Sequence, residues 1–227
     1  MQKFTNANEV DIVSSALLQE GVIWEKQMRK ERSAVSVDMS GSLLFKARLA
    51  NAQANGLDCS GMSFGAADLK FSSLPSCVFD DCNLVRAVLD GALLNNASLN
   101  SASLSEVSAV KADFSFAKCN RTEFRKAALN SATFKQTTLD AADFTRATLD
   151  DASFSQAKLR SVRFVGASLR KTIFSQTDVT TAVFDDADVE GADFTAAAGV
   201  TKALLAKAKN SDKALLPPEP KTTTNKP

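Results

Sequence analysis

Residues 142–161 read ADFTR ATLDD ASFSQ AKLRS when cut into fives, and that cut decides the fold. Phe144 and Phe154 stand ten apart, with Leu149 and Leu159 midway. Working outward, Phe114, Phe124, Phe134, Phe144, Phe154, Phe164, Phe174, Phe184 and Phe194 fall on every tenth residue without a miss. Leu129, Leu139, Leu149, Leu159, Leu169, Val179 and Val189 lie between them, and Cys119 is the one small occupant. The period is therefore five. Five residues rotate a helical side chain by about 140°, so the repeat spirals around a helix. On a strand, odd spacing throws successive repeats to opposite faces. A chain that buries every fifth residue must turn a corner every five residues, which describes a coil whose turns stack into a solenoid.

The same frame runs from Leu44 to Phe194, where all 31 positions are apolar or Cys. Two residues before each centre the occupant is small: Ala at most positions, with Ser, Thr, Cys or Val elsewhere, and Leu57 and Met62 as exceptions. No insertion breaks the frame. Ala142-Asp-Phe-Thr-Arg146 and Ala192-Asp-Phe-Thr-Ala196 match Ala-Asp/Asn-Leu/Phe-X-X in full, and on these residues the stretch from Ser42 to Ala196 resembles the pentapeptide-repeat family. The resemblance implies a right-handed, four-sided parallel β-helix with one pentapeptide per side.

Side-chain size supports four sides independently. A triangular coil would stack Phe114, Leu129 and Phe144 in one column, mixing sizes. A square coil gives uniform columns: Phe124, Phe144, Phe164, Phe184 on one side and Phe114, Phe134, Phe154, Phe174, Phe194 opposite, with Leu on the flanks. At four pentapeptides per turn the frame makes nearly eight coils, roughly 37 Å of shaft at the spacing of paired strands. Both ends would expose unpaired backbone and apolar core, and both need covers.

The flanks supply candidates. Residues 1–36 are predicted as an N-terminal helical cap: Asn8 can cap a helix with Val10, Val13 and Leu17 on one face, and Val22-Ile23-Trp24 forms an apolar knot expected over the first coil. The solenoid then occupies 37–198. Thr201 can cap a short C-terminal helix within 199–210 carrying Ala203, Leu204 and Leu205, which would seal the last coil or join two chains as a homodimer. Residues 211–227 read as a disordered tail rich in Pro and Thr.

Composition bounds the chemistry. The 227 residues hold 27 Lys and Arg against 26 Asp and Glu, with no His and no Tyr. The commonest general base is therefore missing, and a loop-free β-helix offers no cleft to raise a carboxylate pKa. No phosphate-binding glycine loop is present. Asp68, Asp113 and Asp143, each just before a centre, suit turn backbone. Cys59, Cys77, Cys82 and Cys119 all take inward slots, with no zinc spacing. We expect no enzyme, no cofactor and no metal. The polar start lacks a signal-peptide core and no run is long enough to span a bilayer, so a bacterial-like cytoplasmic protein is expected; a processed chain would read the same.

The surface remains. Twelve Lys and Arg face six acids between Lys111 and Lys171, whereas Asp185, Asp186, Asp188, Glu190 and Asp193 follow with no base. Arg86, Lys126 and Arg146 share one corner. These charges serve either solubility and register or an acidic partner, including a second copy docked head to tail. Phe71 and Phe116 take outward corners where Phe is unexpected, and Phe45, Leu93 and Ile173 add further outward apolar groups. Two function classes follow. One is an interaction or scaffold protein, in a secretion or effector setting, whose partner is another protein. The other resembles the gyrase-protecting members of the family, which mimic duplex DNA; residues 37–196, with 19 acids and 16 bases, depart from that pattern. Direct nucleic-acid binding is disfavoured because exposed stacking aromatics are not interleaved with the bases.

Overall fold

The computed structural model describes residues 44–218. The helical cap expected over 1–36, with Asn8 and Trp24, lies outside the described residues, as does the end of the tail.

Each residue before a centre pairs in parallel with the residue 20 further on, from Arg48 with Asp68 to Asp178 with Ala198. Twenty residues per turn is four pentapeptides per turn, so the coil is a square solenoid. We name the sides by their inward residues: side A carries Leu44, Phe64, Leu84 and on to Phe184; side B Leu49 to Val189; side C Ala54, Leu74, Leu94 and Phe114 to Phe194; side D Cys59 to Val179. Coil one starts at Leu44.

The corners come from tight turns. The amide of Ala147 donates to the Phe144 carbonyl at 2.9 Å and that of Ala152 to Leu149 at 3.0 Å. The residue two after a centre sits in the left-handed region at every described corner except Thr181 and Ala196, as at Arg146 with φ 60° and Gln156 with φ 62°. A positive φ there with this closing bond is the signature of a type II turn. Most of these positions are not glycine, so the ladder of coils holds L-residues in a conformation that costs each about 1–2 kcal/mol.

Inside, the two phenylalanine columns meet across the axis. Rings stack along side C, with Phe134 4.9 Å and Phe174 5.4 Å from Phe154, and along side A at 4.7–5.3 Å. Between columns they pack edge to face, as Phe144 on Phe154 at 5.6 Å and 87°. All nine phenylalanines are fully buried. Both arrangements suit the ring quadrupole.

The small position two before each centre also lies inside, as Ala67 and Ala142 show. Where Thr replaces Ala, its hydroxyl needs an acceptor and finds a backbone carbonyl, 23 residues back for Thr122 on Leu99 and Thr137 on Phe114, both 2.7 Å, and three residues back for Thr177 on Phe174. Ser72 occupies the same slot, fully buried, and its hydroxyl has no partner. A buried unpaired hydroxyl carries a desolvation cost of about 1–3 kcal/mol. Ser72→Ala is therefore expected to stabilise the protein by about 1 kcal/mol, read as a higher denaturation midpoint in urea; an unchanged or lower midpoint would contradict the assignment.

The C-terminal end differs from expectation. In place of a short helix over 199–210 and a tail from 211, the chain makes one more, irregular coil. Thr201 does accept the Leu204 amide on Oγ1 at 3.0 Å, but only turns follow. Lys209 then pairs with Asp188 and Leu215 with Asp193, in parallel. The only helical element among the described residues is a 3-10 turn, Ser211–Lys213. Pair spacing widens from 20 to 21 and 22, so the repeat has ended while its hydrogen bonding continues. Leu205 is buried, with Leu204, Ala208, Ala214 and Leu216 packed partly against the core. The physical cause is the edge: the amides of Asp186, Val189, Gly191 and Phe194 point along the axis, and the carbonyls of Lys207, Lys209, Lys213 and Leu215 accept them.

Candidate functional site

The outward carboxylates are engaged in the turns. The amide one after each centre points away from the core and has no carbonyl along the axis. In one solution the Asp before the centre accepts it, as Asp113 does from Ser115 and Asp143 from Thr145, both at 2.8 Å. In the other, an Asp or Asn one coil earlier accepts it, building the ladder Asp80, Asn100, Asn120, Asp140 on side D. Pro75 takes the same outward position, where a missing amide costs nothing. Among the described residues no group of three or more metal-binding side chains converges, and no helix is long and apolar enough to cross a membrane. The four cysteines are free and buried; burial pushes the Cys82 thiol up to about 11 and lifts Cys59 and Cys77.

Burial favours protonation of Asp143, but the Thr145 amide and the Arg125 guanidinium, 2.8 Å away, outweigh it and hold the carboxyl below its usual range. A depressed folded pKa contributes stability above the unfolded value, lost as pH falls through the folded one. Asp143→Asn is thus expected to cost about 1 kcal/mol near pH 7, a cost that fades at a pH below the depressed folded value, where the unmodified carboxyl is neutral too. Equal losses at both pH values, measured by denaturant titration, would refute this.

Three of the charged candidates, Arg86, Lys126 and Asp185, prove to be in ion pairs. Glu106 stands between Arg86 and Lys126 on their shared corner, 2.7 Å from Arg86 and 3.9 Å from Lys126. The corner is thus an alternating ladder rather than a basic stripe, with Arg146 one coil beyond; Glu106 follows from the same 20-residue count as its neighbours. The acidic stretch is covered by the chain's own C-terminal coil. Lys207 pairs with Asp185 at 3.0 Å, Lys213 with Glu190 at 2.9 Å, and Asn210 donates to Asp188 at 2.7 Å. Arg170 bridges Asp188 and Glu190. The backbone amide of Asp186 bonds Lys207. The acidic end is therefore partly neutralised from within the chain.

The apolar candidates divide in two. Phe45 lies over Gly65, where an added Cβ would come within 3.1 Å of the ring, and Phe71 lies over Gly91 at 2.7 Å by the same measure. Glycine one coil on lets each ring lie lengthwise along the corner. Phe116 has Gln136 in that place, engaged with Gln156 in an amide ladder, rather than a glycine. Phe71 is 66%, Leu93 46% and Phe116 51% exposed. The register sets Phe71 and Pro75 in coil two, Leu93 in coil three and Phe116 in coil four, all on side C or its two corners. Ile173 and Leu215 are exposed further along side C. Leu215 escaped sequence reading, though Ala214-Leu215-Leu216 is the one apolar triplet in an otherwise polar tail.

Residues 110–180 match the family model described as Pentapeptide repeat region, and residues 82–115 that of Pentapeptide repeats (8 copies). No curated protein sequence matches the chain. Among solved structures, a trypsin-treated form of QnrB1, a plasmid-mediated fluoroquinolone resistance protein, aligns with a TM-score of 0.70 at 18% identity over 80% of this chain and 92% of that one. Full-length QnrB1 aligns at 0.50, with 15% identity over 73% and 93%. HetL, a pentapeptide repeat protein involved in heterocyst differentiation regulation in the cyanobacterium Nostoc sp. strain PCC 7120, scores 0.35 at 23% identity over 78% and 81%. At these identities the first two likenesses speak for the fold alone, and the third adds no weight.

Proposed function

This chain is a pentapeptide-repeat protein, and from that premise we propose that it acts without catalysis, as a rigid rod that binds another protein through side C of coils two to four. What carries the reading is the run of Phe71, Leu93 and Phe116 across three successive coils of one flat side. Isolated exposed apolar residues are ordinary, whereas a cluster on a polar shaft marks a contact surface. Ser73, Asn95 and Ser115 between them are short, which leaves the large groups proud of the surface. A scaffold in a secretion or effector assembly is a setting such a rod would serve. A photo-reactive residue at position 93 or 116 is expected to crosslink a partner in the native host, and one at Gln156 is not; capture at 156 alone, or at none, defeats the proposal.

The second reading, a duplex mimic acting on DNA gyrase, has the shape of QnrB1 in its favour. Charge weighs against it: residues 44–218 hold 20 Lys and Arg to 19 Asp and Glu, where duplex DNA carries one negative charge per about 1.7 Å. A supercoiling assay with gyrase and a fluoroquinolone decides between them, since inhibition or protection at micromolar protein would favour the mimic.

A further inference from the structure

We propose that the partner of side C is a second copy of this chain, docked face to face and antiparallel about a two-fold axis at the height of coil three. The inference rests on side C being the contact face.

The square frame fixes which residues would meet. A two-fold axis lying across the strands in the contact plane keeps each column over its own copy and reverses the order of the coils. At coil three it exchanges coil two with coil four and coil one with coil five. Leu93, exposed at the middle of the patch, then meets Leu93 of the second copy. Phe116, at its corner in coil four, meets the short Ser76 in coil two. Phe71, at the other corner of coil two, meets Lys111 in coil four, an exposed lysine with no ion pair among the described residues. An ammonium beside an aromatic ring is attracted by its quadrupole, and the symmetry makes that contact twice. Asn95 and Asn96 meet themselves, and an amide can bond its own copy because it carries both donor and acceptor. The Ser73 hydroxyl meets Asp113 and can donate to the oxygen that the Ser115 amide leaves over. Asn51, Gln53 and Asn55 of coil one are uncharged and lie opposite Ser131, Thr133 and Lys135 of coil five. No two like charges face each other.

Other settings lose this fit. Half a coil one way sets Leu93 on the Asp113 carboxylate, and half a coil the other way sets it on Ser73. An axis at coil five matches Leu93 with Ile173 but places Lys135 against its own copy, and facing like charges are costly. Parallel shafts put Leu93 over Asn95. The antiparallel contact at coil three spans five coils, about 24 Å of shaft. That is at the low end for specific interfaces, so the dimer is reversible rather than permanent.

Sedimentation of the purified full chain over a concentration series should show a monomer–dimer equilibrium. Leu93→Arg sets two guanidinium groups against each other on the axis and should leave only monomer, with the far-ultraviolet spectrum unchanged. Ala128→Arg on side B should leave the equilibrium as it was. Lys111→Gln removes a cation from both symmetric pairs and should weaken dimerisation about tenfold. In the purified protein, a photo-reactive residue at position 93 should link to the peptide that carries position 93 itself, and one at 116 to the peptide that carries Ser76. Monomer at every concentration, a dimer that Leu93→Arg does not disturb, or a link from 93 to the Ile173 peptide overturns the proposal. The contact face is read separately. If the purified chain is monomeric while position 93 captures a different protein in the native host, the face stands and the second copy falls; if position 93 captures nothing in either setting, both fall.

Discussion

Phe154→Ala is expected to cost about 3–5 kcal/mol, as large a loss as any single inward side chain of this shaft should give. Phe154 stacks on Phe134 and Phe174 and meets Phe144 and Phe164 edge on. Removing it takes away a buried ring and up to four aromatic contacts, each worth about 0.5–1.5 kcal/mol beyond burial. The cavity cannot close cheaply. Its walls are the corners of stacked coils, held by axial hydrogen bonds such as Phe154 N–H to the Ile173 carbonyl at 2.8 Å, and a small inward shift would break several bonds at once. Thermal and urea unfolding measure the loss. Phe154→Leu, which refills most of the space, should recover more than half of it. An unchanged midpoint for the alanine variant would mean that the aromatic column is not a source of stability.

The second large effect concerns the end of the shaft. Gly199 sits at φ +78°, and a Cβ there would collide with Thr180, lying 2.7 Å from both its backbone N and its Cα and closer still to its hydroxyl. The obstruction is backbone, which cannot rotate away. Gly199→Ala is expected to cost about 3 kcal/mol, by prising the irregular coil 199–216 off the Phe174–Phe194 turn. Exposed core and free backbone edge should follow, seen as dye binding and concentration-dependent association. Gly61→Ala is the control. Gly61 has φ +70° with nothing near the added carbon, so it should lose only about 1 kcal/mol. Equal losses in the two variants would show that backbone conformation, rather than the collision with Thr180, sets the cost.

Sequence reading succeeded where one residue's environment repeats. The inward Phe and Leu frame, the small slot before it and the square cross-section were all legible, because an error of one residue would turn the whole set to solvent. The role of Asp113 and Asp143 was legible for a similar reason: turn backbone has local needs that a neighbouring carboxylate meets. The candidate site was legible only in part. Phe71 and Phe116 stood out as wrong for their positions, but that Phe71 lies down on Gly91 while Phe116 stands beside Gln136 depends on neighbours 20 residues away. The corner of Arg86 and Lys126 was left open for the same reason, since Glu106 has to be placed between them before their charges can be weighed.

By itself, then, the order of side chains determined the coil, because burial every fifth residue admits no other regular path. The tertiary structure decided how the coil ends. Thr201 and the alanine- and leucine-rich stretch after it favour a helix locally, yet the last regular turn presents a row of unpaired amides and an open core. Meeting those bonds while burying Leu205 outweighs one isolated turn of helix, and no local preference could have revealed that demand.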